Sequence, residues 1–251
     1  MERKIAVLAD IHGNYSALKA VLSKIDEDPK IEHIYCLGDM IGIGYQTNEV
    51  LELLTTHKNI SFVMGNHDEA IIDILSGRDP YSKGSEKEHH KWLASRIHHK
   101  YVPFLAELPI TLRANYNGIQ FLFLHYHLKE QNEFMQVDKD PTEKKLDDLY
   151  QSSDANVICF GHHHIIHHFK TTERLYLNPS SLGCNNKPLA PFLLIKIGEN
   201  SEIETSFLEV PYDNKGFLLG YKNLNVPDSD FILQVFHGNQ HLKYAYKPYV
   251  Q

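Results

Sequence analysis

Ile5-Ala6-Val7-Leu8-Ala9-Asp10-Ile11-His12-Gly13-Asn14 decides the fold. An apolar run, read as a strand, stops abruptly at Asp10. Ala17, Leu18, Val21, Leu22 and Ile25 then recur at helical spacing. Ile31 to Leu37 is a second strand ending in Gly38-Asp39. Val50, Leu51, Leu53 and Leu54 mark a second helix, and Ile60 to Met64 is a third strand ending in Gly65-Asn66. Strand and helix alternating at this pitch predict βαβ units and a parallel sheet.

Further along, residues 70–108 read as mainly helical. Ser85, with Glu88 three positions on, has the form of a helix cap. Trp92, Leu93, Ile97 and Tyr101 share one face and are expected in the core. Pro109 to Ala114 and Ile119 to Leu124 are strands joined through Asn117-Gly118, a strong hairpin signal. A helix ends over Asp147 to Tyr150. Val157 to Phe160, Phe169 to Thr171, Leu175 to Leu177, Phe192 to Ile197 and Ile203 to Val210 are further strands. Two short helices follow Pro211, near 214–222 and 228–236, and then a tail with Tyr244, Tyr246 and Tyr249. No repeat, low-complexity run or linker divides the chain. A single domain over 1–251 is therefore expected, with a helical cap insertion about 70–108 and a helical tail about 211–251.

The 251 residues are ample for one α/β domain with a buried core. Hydrophobic residues make up 42% and charged residues 23%, the balance of an ordinary globular chain. A net charge of −7, with histidine neutral, argues against nonspecific nucleic-acid or membrane-surface binding, so neither partner is expected. No stretch approaches the ~20 apolar residues of a membrane span, and the first apolar run is too short for a secretory signal. Cys36, Cys159 and Cys184 form no CxxC pattern and read as reduced thiols of a cytoplasmic protein. Cys36 and Cys159 fall within strands and are expected to be buried and inert. Cys184 is placed near the surface and is given no role. Among 17 histidines, the pairs His89-His90, His98-His99 and His167-His168 read as surface or supporting polarity.

Candidate ligands follow five of the strands directly: Asp10 and His12, Asp39, Asn66, His125, then His162 and His164. The carboxyl ends of strands in an α/β sheet gather at one edge, where ligands bind. Taken singly, Asp10 is a turn former and Asn66 a helix cap; five such strand exits together are not explained that way. Oxygen and imidazole donors without thiolate suit Mn²⁺, Fe or Zn²⁺ in a non-structural site. Asp39 has two oxygens and could bridge two ions. His127 rivals His125, which is preferred because it ends its strand directly. His163 alternates with two ligands and is expected to face away.

Asp10-Ile11-His12-Gly13-Asn14, Gly38-Asp39-Met40-Ile41-Gly42, Gly65-Asn66-His67-Asp68, strand-end His125 and Gly161-His162-His163-His164 resemble, in order, the five signature blocks of the calcineurin-like metallophosphoesterases. Trp92 to Pro109 is similar to the helical cap of that superfamily's bacterial and archaeal phosphodiesterase branch. Asn178-Pro179-Ser180-Ser181-Leu182-Gly183 resembles its Asn-Pro-Gly-Ser turn, with Ser180 where glycine is usual. Val210-Pro211-Tyr212-Asp213 resembles the entry to its C-terminal helices.

The resemblance implies a four-layer α/β/β/α sandwich of two mixed β-sheets flanked by helices. It implies that Asp10, His12 and His164 bind one metal, that Asn66, His125 and His162 bind another, and that Asp39 bridges them. Asn66 and His67 would contact the substrate, and His67 would protonate the leaving group. The implied chemistry is hydrolysis of a small phosphate ester, a phosphodiester first, by hydroxide activated between two metals about 3.5–4 Å apart. A phosphomonoesterase, protein phosphatase or nucleotide polyphosphate hydrolase is the alternative. Such relatives carry Gly-Asp-x-Val-Asp-Arg-Gly and use its arginine on phosphate, whereas Gly38-Asp39-Met40-Ile41-Gly42-Ile43-Gly44 has none. A non-catalytic scaffold, such as the similar retromer subunit, lacks the histidine that stands here as His67. A homo-oligomer is compatible with the aromatic tail.

Overall fold

The chain is described by a computed structural model over residues 2–244, the side chain of Gln131 excepted. Strands β1 (Arg3–Leu8), β2 (Ile31–Cys36) and β3 (Ile60–Phe62) run parallel, with helices α1 (Tyr15–Asp26) and α2 (Thr47–Thr56) as their crossovers. The sheet is mixed, because β9 (Leu189–Ile197) pairs antiparallel with β1 and carries β10 (Ile203–Pro211) on its other edge. A second sheet has the order β4-β5-β6-β8-β7, where β4 is Thr111–Tyr116, β5 Ile119–Leu124, β6 Val157–Cys159, β7 Ile166–Lys170 and β8 Leu175–Pro179.

Alternation along β1 sets the layers. Ile5, Val7 and Ala9 point toward the second sheet, where they pack with Phe121, Phe123, Val157 and Cys159. Ala6 and Leu8 face the other way, against α1, α2 and the helices α3 (Asn66–Leu75), α4 (Gly84–Ala94) and α5 (Val102–Ala106). Outside the second sheet, Leu146 of α6 (Glu143–Leu149) packs on Leu122, Leu124, Ile158 and Tyr176. The result is the expected pair of mixed sheets with helices outside. A separate cluster holds α7 (Lys215–Asn223) and α8 (Ser229–Val235) against Ile43 and Cys184. No helix among the described residues is long and apolar enough to cross a membrane.

Several local expectations change. Ser85 does not cap α4: the helix starts one residue earlier, after Lys83, with Gly84 at φ +55° turning the chain into it. β7 begins at Ile166, not Phe169. It is an edge strand paired only with β8, so its histidine-rich exposed face hides the apolar signal. Leu93, Ile97 and Tyr101 are core residues, and Trp92 packs at the border of two clusters. Cys184 is 7% exposed, so it is not at the surface. The tail splits: Tyr244 donates its hydroxyl to Asn214 Oδ1 at 2.7 Å, whereas Tyr246 and Tyr249 lie outside the described residues.

Candidate metal centre

The candidate donors come from both sheets rather than from one sheet edge. Asp10 and His12 follow β1, Asp39 follows β2, and Asn66 opens α3 just after β3. His125 follows β5, while His162 and His164 follow β6. Backbone hydrogen bonds tie the strand exits together within each sheet, and across the seam His162 N–H donates to the Asp10 carboxylate at 2.9 Å. Asp10 N–H donates to Gly38 at 3.2 Å, His12 N–H to Asp39 at 2.9 Å, and Gly161 N–H to His125 at 2.8 Å. The Asn-Pro turn locks the first loop from outside: Ser181 Oγ donates to the Asp10 carbonyl at 2.8 Å and Gly183 N–H donates there at 3.0 Å.

Asn66 is the first residue of α3, not its cap. The carboxylate of Asp68 accepts the Gly65 N–H at 3.1 Å instead. That leaves the Asn66 amide free to turn toward the centre. Asp68 also accepts from Ile41 N–H at 3.2 Å, which ties the second loop to α3. Burial, and then the nearby Asp39 charge, lift the Asp68 carboxyl to about 7.

The donors sort into two groups that share one oxygen. His12 Nε2 lies 2.9 Å from His164 Nε2, 3.7 Å from Asp10 Oδ1 and 3.8 Å from Asp39 Oδ2. His125 Nε2 lies 2.8 Å from Asn66 Oδ1, 3.1 Å from His162 Nδ1 and 3.3 Å from the same Asp39 Oδ2. The other Asp39 oxygen accepts the His67 N–H at 2.8 Å, which fixes the carboxylate's rotation. His127, the rival of His125, is elsewhere: its Nδ1 bonds the Tyr150 hydroxyl at 2.9 Å. His163 faces away, between the Tyr126 hydroxyl and His167.

Bound cations fit this donor set. Asp10 and Asp39 are 0% and 1% exposed, and their ion-pair partners among the described residues are all histidines. A buried carboxylate needs a compensating cation. His125 Nδ1 donates to the Leu37 carbonyl at 2.8 Å, so in the neutral ring Nε2 is a lone pair. That lone pair faces an amide oxygen and a carboxylate oxygen, neither of which can donate. With no metal, a proton would be the substitute. Burial opposes charge on His125, but Asp39 and Asp10 outweigh it and raise its pKa to about 9. Burial pushes His12 well below its ordinary value and His162 to about 4, leaving both rings neutral and able to ligate.

His67 stands between this centre and the helices beside it. Its nitrogens are within 4.8 Å of donor atoms on His12 and Asp39 on one side, and on Glu86 and His90 on the other. Its Nδ1 meets His90 Nε2 at 2.7 Å, and His90 Nδ1 meets Ser82 Oγ at 2.9 Å. Burial, then the His67 charge, lower His90 to about 3, so His90 is a neutral partner. This chain corrects the surface reading of the His89-His90 pair, since both are buried. Helical spacing from Leu93, one turn on, could have suggested that burial. Cys184 is the other residue that sequence reading missed: its thiol lies within 4.8 Å of ring nitrogens of His12 and His164. Burial raises the pKa of that thiol.

The calcineurin-like phosphoesterase superfamily domain matches residues 3–200. Protein MJ0912 of Methanocaldococcus jannaschii is 34% identical over 161 residues, covering 64% of this chain and 62% of its own. The match thus spans less than two thirds of that relative. Serine/threonine-protein phosphatase 2 of Escherichia coli is 27% identical over 177 residues, covering 64% and 79%. The crystal structure of PH1004 from Pyrococcus horikoshii superposes with a TM-score of 0.77 at 22% identity, covering 94% of this chain and 98% of that one, which establishes the shared fold.

Proposed function

The chain belongs to the calcineurin-like phosphoesterase superfamily, and from that premise we propose that it is a metal-dependent phosphoric ester hydrolase acting first on phosphodiesters. The observation that carries this reading is Asp39 Oδ2, one oxygen facing two separate donor groups. Asp10, His12 and His164 would hold one ion and Asn66, His125 and His162 the other, with Asp39 common to both. Two such ions supply Lewis acidity to phosphate oxygens and lower the pKa of water.

The chain's own groups do the rest. The His67 N–H bond to Asp39 holds that residue at the rim. Its Nδ1 is engaged by His90, so Nε2 is the nitrogen presented to the ester. Hydrolysis forms a bond from water oxygen to phosphorus and breaks the ester P–O bond, whose electron pair leaves with the alcohol oxygen. His67 Nε2 gives that oxygen its proton and is reprotonated by the one the water loses. Asn66 also contacts the substrate from the first turn of α3, whose N–H groups favour an anion there.

The diester preference rests on the likeness of Trp92 to Pro109, and of the entry to the C-terminal helices at Val210 to Asp213, to the phosphodiesterase branch. The Escherichia coli relative favours a second reading, a phosphomonoester or phosphoprotein substrate. Against it, Ile43 stands where such a motif would carry an arginine. His67 argues against a non-catalytic scaffold. Turnover of bis-(p-nitrophenyl) phosphate should exceed that of p-nitrophenyl phosphate with Mn²⁺, and chelation should abolish both. No turnover of either ester with Mn²⁺, Fe²⁺ or Zn²⁺, and no metal retained after dialysis, would remove this reading.

A further inference from the structure

Beyond His67 lies a pocket of about 420 Å³ between α4 and α8. Ile43, Phe231, Ile232 and Phe236 line it with apolar surface. The Phe236 ring meets the His164 ring edge-on at 5.9 Å, so this surface continues directly from the metal centre. Ile43 reaches it from a left-handed backbone, φ +55°, a conformation that a β-branched residue adopts only when the surroundings impose it. Phe231 is 52% exposed beside a functional site, an arrangement that core packing does not explain.

The charge of the pocket is equally informative. Glu86 and Asp228 line it, and among the described residues no lysine or arginine does. The Glu86 carboxylate lies within 4.8 Å of ring nitrogens of His67 and His90. An anionic group in this pocket would meet two carboxylates.

His67 fixes what the pocket receives. A proton donor acts on the leaving oxygen, so whatever that oxygen carries must lie beside His67. The pocket is lined by His67 and is the open space there. Resting on the phosphoesterase reading above, we propose that the pocket binds the departing alcohol, and that this alcohol carries an uncharged, flat aromatic or heteroaromatic group. Esters whose leaving group bears a further phosphate, sulfonate or carboxylate are disfavoured.

Two methyl aryl phosphodiesters of similar leaving-group acidity test this, one releasing methyl 4-hydroxybenzoate and the other 4-hydroxybenzenesulfonate. The neutral ester should have a kcat/KM at least about tenfold higher, a preference of the size that close charges at a wet site produce. The double variant E86Q/D228N should bring the ratio toward one. Phe231→Ala, at an exposed position, should lower the neutral ester's kcat/KM about fivefold, the scale of one aromatic contact. Equal rates for the two esters in the unaltered enzyme, or an unaffected Phe231→Ala, overturn the proposal while leaving the hydrolase reading intact. Trp92, the sole tryptophan, stacks on the pocket residue His89 at 6.4 Å and gives a readout without catalysis. If neither ester is hydrolysed, saturable quenching by methyl 4-hydroxybenzoate that Phe231→Ala abolishes sustains the pocket and sinks the diesterase reading. Absence of quenching in that case sinks both.

Discussion

Asp10, His12, Asp39, His162 and His164 all have φ between +47° and +69°. Left-handed backbone of this kind is uncommon outside glycine, costs of order 1–3 kcal/mol per residue and concentrates at functional sites. Here it turns side chains inward at the strand exits. Asp39→Ala and Asn66→Ala should each abolish turnover and lower bound metal, measured by elemental analysis; full activity in either would refute the ligand assignment. His67→Ala should lower kcat by roughly 10²–10⁴-fold with metal content retained, and metal loss would mean the role is misplaced. Ser180 is also left-handed, at φ +71°, where its hydroxyl donates to the His164 carbonyl at 2.9 Å. Ser180→Gly should relieve strain, raising stability by up to about 1 kcal/mol, yet weaken metal retention by freeing His164. The candidate ligands were legible because each follows an apolar run. His90 and Cys184 were not, because His67 in one case and His12 and His164 in the other are distant in sequence and meet them only through tertiary packing.

Local periodicity reads elements well where it matches their burial. The Asn117-Gly118 turn forms as expected, with φ of +51° and +87°, the primed-turn pattern that suits hairpin twist. β7 was mis-bounded because edge strands need little apolar surface. At the entry to α3, Asn66 taken singly has the form of a helix cap; Asp68 fills that role by reaching back to Gly65. A neighbouring close approach makes its own prediction. A Cβ on Gly42, at φ +91°, would sit 2.6 Å from the His67 Cβ. Gly42→Ala should therefore displace His67 and mimic His67→Ala, with turnover falling at unchanged metal content. Wild-type rates in that variant would show that the loop yields without moving the histidine.

At the scale of the molecule, the candidate centre depends on how two sheets face each other. Tyr35 from one sheet stacks on Phe123 of the other with ring centres 3.7 Å apart. Phe123→Ala should cost about 3–5 kcal/mol and lower Tm by roughly 10 °C, with metal affinity falling as well, because His125 lies two residues on. Loading with metal should in turn raise Tm, by about 2.7 kcal/mol of stabilisation at a hundredfold excess over Kd; a Tm unchanged by Mn²⁺ and by chelation would contradict the fit of the donor set. One sheet edge could not be distinguished from two at the sequence level, since strand ends look alike whichever sheet they join.

β9 is the neighbour of β1, yet the whole second sheet lies between them in the chain. During synthesis β1 must wait for residues 189–197 before its outer edge is paired. Ile5, Val7 and Ala9 are only partly covered over the same interval, since their buried cluster also needs Leu193, Ile195 and Ile197. Such an open, apolar edge is a template for intermolecular pairing, so a chain interrupted short of Leu189 is born sticky as well as inactive.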